Sequence, residues 1–326
     1  MLFRSLVVHY DENLLTLRQA IRPHLANISG VVLIGVSGGA DSMALAAATL
    51  AESEGKRVIP VVVDHGLQEN SAKIAAAVTE RLKKMGFSEI FTARAVVEIT
   101  DGLEASARRA RFKVFAQAIE TYGAEIFLLG HNKNDQAESV LLGLARGSGT
   151  RSLSGMREQK GIYVRPFLEV TREIIESACQ ELGLEIWSDP HNDNLEFKRV
   201  VVRKNSLPNL ERELGPGIID ALARSAKIMG EDADALDEWA NRAFSEIGTN
   251  NMDIEKLAAL PKAVRSRVLR NAIYAAGAPS GSITAEHLKP VESLITAWEG
   301  QGECSLPGGV KVLRISGRLS LSNPSS

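Results

Sequence analysis

The run Val31-Val32-Leu33-Ile34-Gly35-Val36-Ser37-Gly38-Gly39-Ala40-Asp41-Ser42 restricts the fold more than any other stretch of this chain. A short β-branched run passes through a serine and two glycines and at once enters a helix-forming segment, residues 43–54. An unbroken apolar strand of that length suits a parallel sheet covered on both faces. A tight turn from such a strand into a helix leaves free N–H groups and a positive dipole end at the turn. Gly38 and Gly39 take dihedrals that other residues resist, and without a Cβ they let a bound group approach the backbone. Ser37 and Ser42 add hydroxyls, while Asp41 can cap the helix or hold a metal ion.

The plain alternative is a corner in which the glycines only make the bend. Two serines and an acid at fixed offsets between strand and helix favour a phosphate site over that alternative. No lysine follows the glycines, so this is not the G-x-x-x-x-G-K-[ST] loop, and the G-x-G-x-x-G dinucleotide pattern fails too.

Strand-like segments at 31–36, 58–63, 89–92 and 125–129 alternate with helix-like segments at 42–54, 71–85, 104–122 and 135–146. The spacing predicts βαβ units and an α/β, doubly wound parallel sheet. Ligands in such sheets bind beyond the carboxyl ends of the strands, where the loops at 37–42, 64–66 and 130–134 fall. After Leu207-Pro208 the pattern changes to helices at 218–243, 254–260, 263–276 and 284–298, followed by short strands at 303–306, 310–315 and 319–321. A boundary near residue 215 is expected, giving a catalytic domain at 1–215 and a second, mainly helical domain at 216–326. The Pro324-Ser325-Ser326 end reads as a frayed tail.

A chain of 326 residues with 44% hydrophobic and 24% charged residues suits a globular protein of two domains. Its apolar runs are strand-length, short of the ~20 residues of a membrane span. The Leu6-Val7-Val8 patch is too brief for a signal sequence. Cys179 and Cys304 are far apart and form no Cys-x-x-Cys pair, which argues against a disulfide framework, a zinc site or a cluster. A cytoplasmic protein is expected. The net charge of −2 excludes a uniformly basic nucleic-acid binder. Four local basic clusters nevertheless stand out, around Arg108–Lys113, Arg146–Arg172, Lys198–Lys204 and Lys262–Arg270, and together they make a basic surface an expectation.

Three further stretches carry chemistry. Asp64-His65-Gly66 ends a strand and reaches the same crevice as the first turn. In isolation it would read as a small turn. Arg108 and Arg111, three apart on a helix, share a face; a solvated charged face is the alternative. In Gly130-His131-Asn132-Lys133-Asn134-Asp135-Gln136-Ala137-Glu138-Ser139, Asp135 and Glu138 lie one helical turn apart, placed to bind Mg2+ or accept a proton from an amine. Helix capping by Asn134 or Asp135 is the competing explanation.

Ser-Gly-Gly-Ala-Asp-Ser resembles the signature of the PP-loop ATP pyrophosphatases, whose fold is the adenine nucleotide α-hydrolase type. Within that superfamily the 130–139 stretch, with Leu144-Ala145-Arg146-Gly147-Ser148-Gly149 and Gly155-Met156 after it, resembles the tRNA(Ile)-lysidine synthases. So do Tyr163-Val164-Arg165-Pro166-Phe167, Trp187-Ser188-Asp189-Pro190 and Phe197-Lys198-Arg199-Val200-Val201-Val202-Arg203. Asn132 stands where that family has a second histidine, Asn134 where it has an aspartate, and Val200-Val201 where it has Asn-Arg. On this resemblance a short form is expected, without the extra carboxy-terminal domain of longer family members.

The resemblance implies a ligase that uses ATP, Mg2+ and L-lysine to convert the wobble cytidine of the CAU-anticodon isoleucine tRNA into lysidine. It implies ATP contacts from Ser37, Gly38, Gly39, Ala40, Asp41, Ser42, Asp64, His65, Gly130 and His131. Asp41, Asp135 and Glu138 are the expected catalytic residues, with Asp41 and Asp135 as metal ligands. Arg108, Arg111, Arg199 and Arg203 are the expected tRNA contacts. A homodimer is a candidate assembly. The rival readings are a PP-loop tRNA thiolase, an amidating synthetase of the same superfamily, and a non-catalytic RNA-binding module that keeps the fold.

Overall fold

The computed structural model describes residues 12–66, 70–99, 102–249 and 251–323. The Leu6-Val7-Val8 patch and the Pro324-Ser325-Ser326 tail lie outside them. The first compact unit runs to Ile228 and the second from Met229, a division that falls within one long helix.

The first unit is built on a six-stranded sheet ordered β3-β2-β1-β4-β6-β5. Its strands are β1 Val31–Val36, β2 Val58–Asp64, β3 Phe91–Arg94, β4 Ala124–Leu128, β5 Gln159–Lys160 and β6 Tyr163–Val164. The pairs among β1, β2, β3, β4 and β6 are parallel, and only β5 joins antiparallel. Strand order reverses between β1 and its neighbours, which opens the crevice at their carboxyl ends.

Alternation along β1 shows why the sheet is doubly covered. Val32, Ile34 and Val36 enter one apolar core with α1 Glu12–Leu25, α2 Ala40–Glu52, α3 Ser71–Met85 and α6 Arg172–Glu181. Leu33 enters the other, with Val114, Phe115 and Ala118 of α4 Leu103–Tyr122 and Phe127 of β4. The helix after β4, α5 Lys133–Ala145, starts within two residues of its expected position. Helix α1 was not expected from the sequence, although Leu14, Leu17, Ile21 and Leu25 form its buried stripe. Strands β5 and β6 are two residues each, too short to show any period.

Chain 198–214 is one irregular helical stretch. An α-turn, Lys198–Val201, runs through a π-helical turn, Val202–Ser206, into α7 Leu207–Leu214. The long helix α8, Ile218–Ile247, follows. In the second unit α9 Ile254–Ala259, α10 Lys262–Ala275 and α11 Ala285–Thr296 share a core with a four-stranded antiparallel sheet ordered β7-β10-β9-β8. Its strands are β7 Met252–Asp253, β8 Cys304–Ser305, β9 Lys311–Ile315 and β10 Arg318–Ser322. Among the described residues no helix is long and apolar enough to cross a membrane.

Candidate active site

The turn between β1 and α2 is an open cradle braced from below. Gly38 has φ +91°, and a Cβ there would lie 2.5 Å from Val78 Cγ2. Both the dihedral and the space therefore require glycine. Gly39 caps α2 without any side-chain bond, which leaves the first-turn N–H groups of α2 uncapped by a side chain. Ser42 is buried: its Oγ donates to Gly39 O at 3.0 Å and accepts from Ser37 N at 3.1 Å. Ser37 is exposed, with its Oγ 3.2 Å from that of Ser42. So Ser42 holds the turn's shape and Ser37 is the more exposed hydroxyl, and both border the cleft. Trp187 N also donates to Gly38 O at 2.9 Å, fixing the peptide that follows.

Beside the turn lies a linked set of carboxylates and amides. Asn132, fully buried, caps α5: its Oδ1 accepts from Asp135 N, and its own N–H donates to Asp135 Oδ2, both at 3.0 Å. Its Nδ2 donates to Asp41 Oδ1 at 2.8 Å. Burial foremost, then the negative charge of Asp135, pushes the Asp41 carboxyl up to about 6, while Arg172, Asn132 and Arg203 act against that rise. Gly130 makes this closeness possible, since a Cβ on it would sit 2.9 Å from the Asp41 carbonyl oxygen.

Glu138, fully buried, is wrapped in guanidinium groups. Arg203 Nε lies 2.7 Å from Oε1, Arg199 Nε 2.8 Å from Oε2 and Arg172 Nη2 3.5 Å from Oε1. Arg203 Nη2 also lies 3.4 Å from Asp135 Oδ1. Arg199 and Arg203, expected to face tRNA, thus turn inward onto a carboxylate that was expected to do chemistry. Arg108 and Arg111 do line the cleft, together with Arg172 and Arg203.

The cleft over these groups has a volume of about 910 Å³, and Ser37, Asp41, Asp64, His65, Gly130, His131 and Asp135 all border it. Burial alone would raise Asp64, but hydrogen bonds from Ser71 and the Gly66 N–H, with Arg94 nearby, hold it below the usual carboxylate range. Burial and then Arg111 lower His65. His131 is pushed down to about 3, by burial first and then by Arg165, Arg199, Arg108 and Arg111. Both imidazoles are neutral at pH 7. The Nδ1 atoms of both are buried without a hydrogen-bond partner among the described residues.

Among the described residues no three His, Cys, Asp or Glu side chains converge as a ready-made metal cage. Asp41 and Asp135 both border the cleft beside the glycine turn. That donor set fits Mg2+, which is commonly held by one or two carboxylates with substrate phosphates and water completing its octahedron.

Profile comparison assigns a PP-loop domain to residues 13–210 and a TilS substrate binding domain to residues 252–320. The tRNA(Ile)-lysidine synthase of Thermobifida fusca (strain YX) is 45% identical over 311 residues, covering 94% of this chain and 96% of that one. The Streptomyces coelicolor enzyme of the same name is 47% identical over 296 residues, covering 89% and 84%. The chain belongs to the tRNA(Ile)-lysidine synthase family. In fold alone, a U34-tRNA thiolase from Methanococcus maripaludis is similar, with TM-score 0.57 and 16% identity over 68% of this chain and 79% of that one.

Seen as a lysidine synthase, the chain gives physical reasons for much of its family motif. Gln136 is a clamp: its Oε1 accepts from Met156 N at 2.7 Å and its Nε2 donates to Met156 O at 2.8 Å. Gly155, with φ +63°, lies so close that a Cβ would be 2.5 Å from Gln136 Oε1. The two departures at 132 and 134 are both working amides. Asn134 Oδ1 accepts from Arg172 N at 2.9 Å and so caps α6, as Asn132 caps α5. Arg172, at the start of α6, was not expected at the site, although its place just after Thr171 marks a helix start that faces the crevice. Cys179, distant in sequence, packs beneath the turn with its Sγ 3.5 Å from Ala40 O. Its thiol, buried and close to Asp41, is pushed up to about 12. It is therefore protonated and unsuited to a sulfur relay.

Proposed function

We propose that the chain ligates L-lysine to C2 of the wobble cytidine in the CAU-anticodon isoleucine tRNA, at the expense of ATP. The observation that carries this reading is the uncapped α2 N-terminus above Ser37, Gly38 and Gly39, with Asp41 and Asp135 beside it, in a chain of this family. The turn's N–H groups and the Ser37 hydroxyl take the ATP phosphates, in place of the lysine that a Walker-type loop would supply. Asp64 and His65 border the nucleotide end of the cleft. Asp41 and Asp135 would hold Mg2+, which supplies charge neutralisation at the phosphates when bound.

The cytosine C2 oxygen attacks the α-phosphorus of ATP, and the bond to the β,γ-pyrophosphate breaks. The lysine ε-amine then forms a bond to C2, the C2–O bond breaks, and AMP leaves with that oxygen. The ammonium of free lysine loses one proton before attack and the new substituent loses another. Asp135 or Asp41 is the carboxylate placed to orient or deprotonate it, because Glu138 is saturated by arginines and serves to hold them. Arg108 and Arg111 meet tRNA phosphates, and the second unit supplies further tRNA contacts.

Incubation with labelled lysine, ATP and unmodified isoleucine tRNA, followed by nucleoside analysis, tests the proposal. Labelled lysidine with one pyrophosphate and one AMP per turnover is expected. A thiolated nucleoside, or tRNA binding without turnover, would favour a rival.

A further inference from the structure

We propose that Asn132 is a positioning residue for Asp41, holding its carboxylate in the one orientation in which a single oxygen remains for the nucleotide and its metal ion. This rests on the ATP-using reading of the cleft. The geometry leaves Asn132 no choice of direction. Its amide could be flipped without changing its shape, but Asp135 N is a donor and can face only the carbonyl Oδ1, at 3.0 Å. The NH2 group must then point at Asp41, whose Oδ1 accepts at 2.8 Å. The cap thus sets the amide and the amide sets the carboxylate.

Several features make this constraint stiff. Asn132 is 0% exposed, so no water competes for its amide. Its backbone N–H is held in turn by Asp135 Oδ2 at 3.0 Å, closing a ring between the two residues. Gly130 brings this segment against the backbone of Asp41 itself. The remaining oxygen, Asp41 Oδ2, has no hydrogen-bond partner among the described residues, and Asp41 borders the cleft. The same amide therefore ties together the starts of α2 and α5, and Asn134 extends the tie to α6 through Arg172 N. The segment from Asn132 to Asn134 thus joins three helix N-termini, two of them at the carboxylate that Asn132 orients.

Asn132→Ser separates capping from positioning. Serine is an equally good N-cap for Asp135 N but is too short to reach Asp41. The variant should melt within about 3 °C of wild type and bind ATP without Mg2+ to within twofold. The Mg2+ concentration that half-maximally tightens ATP binding should rise roughly 10-fold, and single-turnover pyrophosphate release at saturating ATP should slow by roughly 10- to 100-fold. Asn132→Thr is the second variant: its hydroxyl can cap Asp135 N as serine's does and is too short to reach Asp41, so it should show the same split. A folded Asn132→Ser protein with a wild-type Mg2+ midpoint and wild-type rate overturns the proposal. If that variant does not fold, a wild-type midpoint in Asn132→Thr overturns it. The ATP-binding readout judges Asn132 even if wild-type protein makes no lysidine, an outcome that would count against the ligase reading alone.

Discussion

Arg203 Nε lies 2.7 Å from Glu138 Oε1, and the carboxylate it meets is completely buried. Removing one partner from such a set leaves charge without compensation in a low-dielectric interior, which is far costlier than replacing the whole set by apolar groups. Glu138→Ala should therefore destabilise the protein by ~3–5 kcal/mol, read as a shift in denaturant midpoint at unchanged slope. Glu138→Gln, which keeps the shape and an acceptor, should cost less. Wild-type stability in Glu138→Ala would show that the three arginines rearrange without loss.

The salt dependence of tRNA binding separates inward from outward arginines. Every tRNA phosphate that a variant leaves unneutralised should reduce the log–log slope by roughly 0.7–0.9. Arg108→Ala and Arg111→Ala should flatten the slope, because both side chains border the open cleft. Arg199→Ala should chiefly lower the melting temperature, since its Nε is committed to Glu138 at 2.8 Å. A slope unchanged by the first pair and flattened by the third variant would reverse the assignment.

Asp41→Asn should abolish pyrophosphate release and yet stabilise the fold at neutral pH. The Asp41 carboxyl is raised from its ordinary 3.8 to about 6, so the folded state disfavours its charge. Such a group stabilises the fold below the unfolded pKa, and that stability is lost as pH rises through the folded value. The gain from Asp41→Asn is at most about 3 kcal/mol at pH 7 and should vanish below about pH 4. Thermal melts of the two proteins across this range measure it; a gap that widens towards acid pH would contradict the sign.

His131 gives the opposite slope. Its folded pKa of about 3 lies far below the ordinary 6.5, so its contribution is present above 6.5 and disappears as pH falls towards 3. Asn in its place should lose less stability than wild type between pH 7 and pH 4. The imidazole resonances of His131 should show no titration between pH 5 and 9.

Gly38→Ala should lose ATP binding through two separable strains. The Cβ clash with Val78 Cγ2 at 2.5 Å can be relieved by a second change, Val78→Ala, whereas the φ of +91° cannot. The double variant should recover part of the lost affinity. Full recovery would mean that the dihedral costs nothing.

The glycine turn and the parallel sheet were legible in the sequence because both are local. The turn lies within six residues, and each apolar run announces its own strand. The two-residue β5 and β6 were invisible for want of any period, and their place in the sheet depends on β4, where Phe127 pairs with Tyr163. The pairing of Arg199 and Arg203 with Glu138 was not legible because a basic run reads as a surface, while that acid is over 60 residues away. Still longer separations, 139 and 91 residues, hid Cys179 from Ala40 and Asn132 from Asp41. Asn132 was visible as a departure from a pattern. That its amide has two jobs follows only from the meeting of two helix starts.

The bond from Trp187 N to Gly38 O has a consequence for biosynthesis. The turn is encoded well before residue 187, so β1 and its helix leave the ribosome ahead of that residue. Its carbonyl nevertheless waits for an amide that is translated much later, after all six strands of the first sheet. Until residue 187 has emerged, a nascent chain carries the whole signature without its latch. Ribosome-stalled chains ending before and after that point should differ in nucleotide retention, although they share every residue of the turn itself.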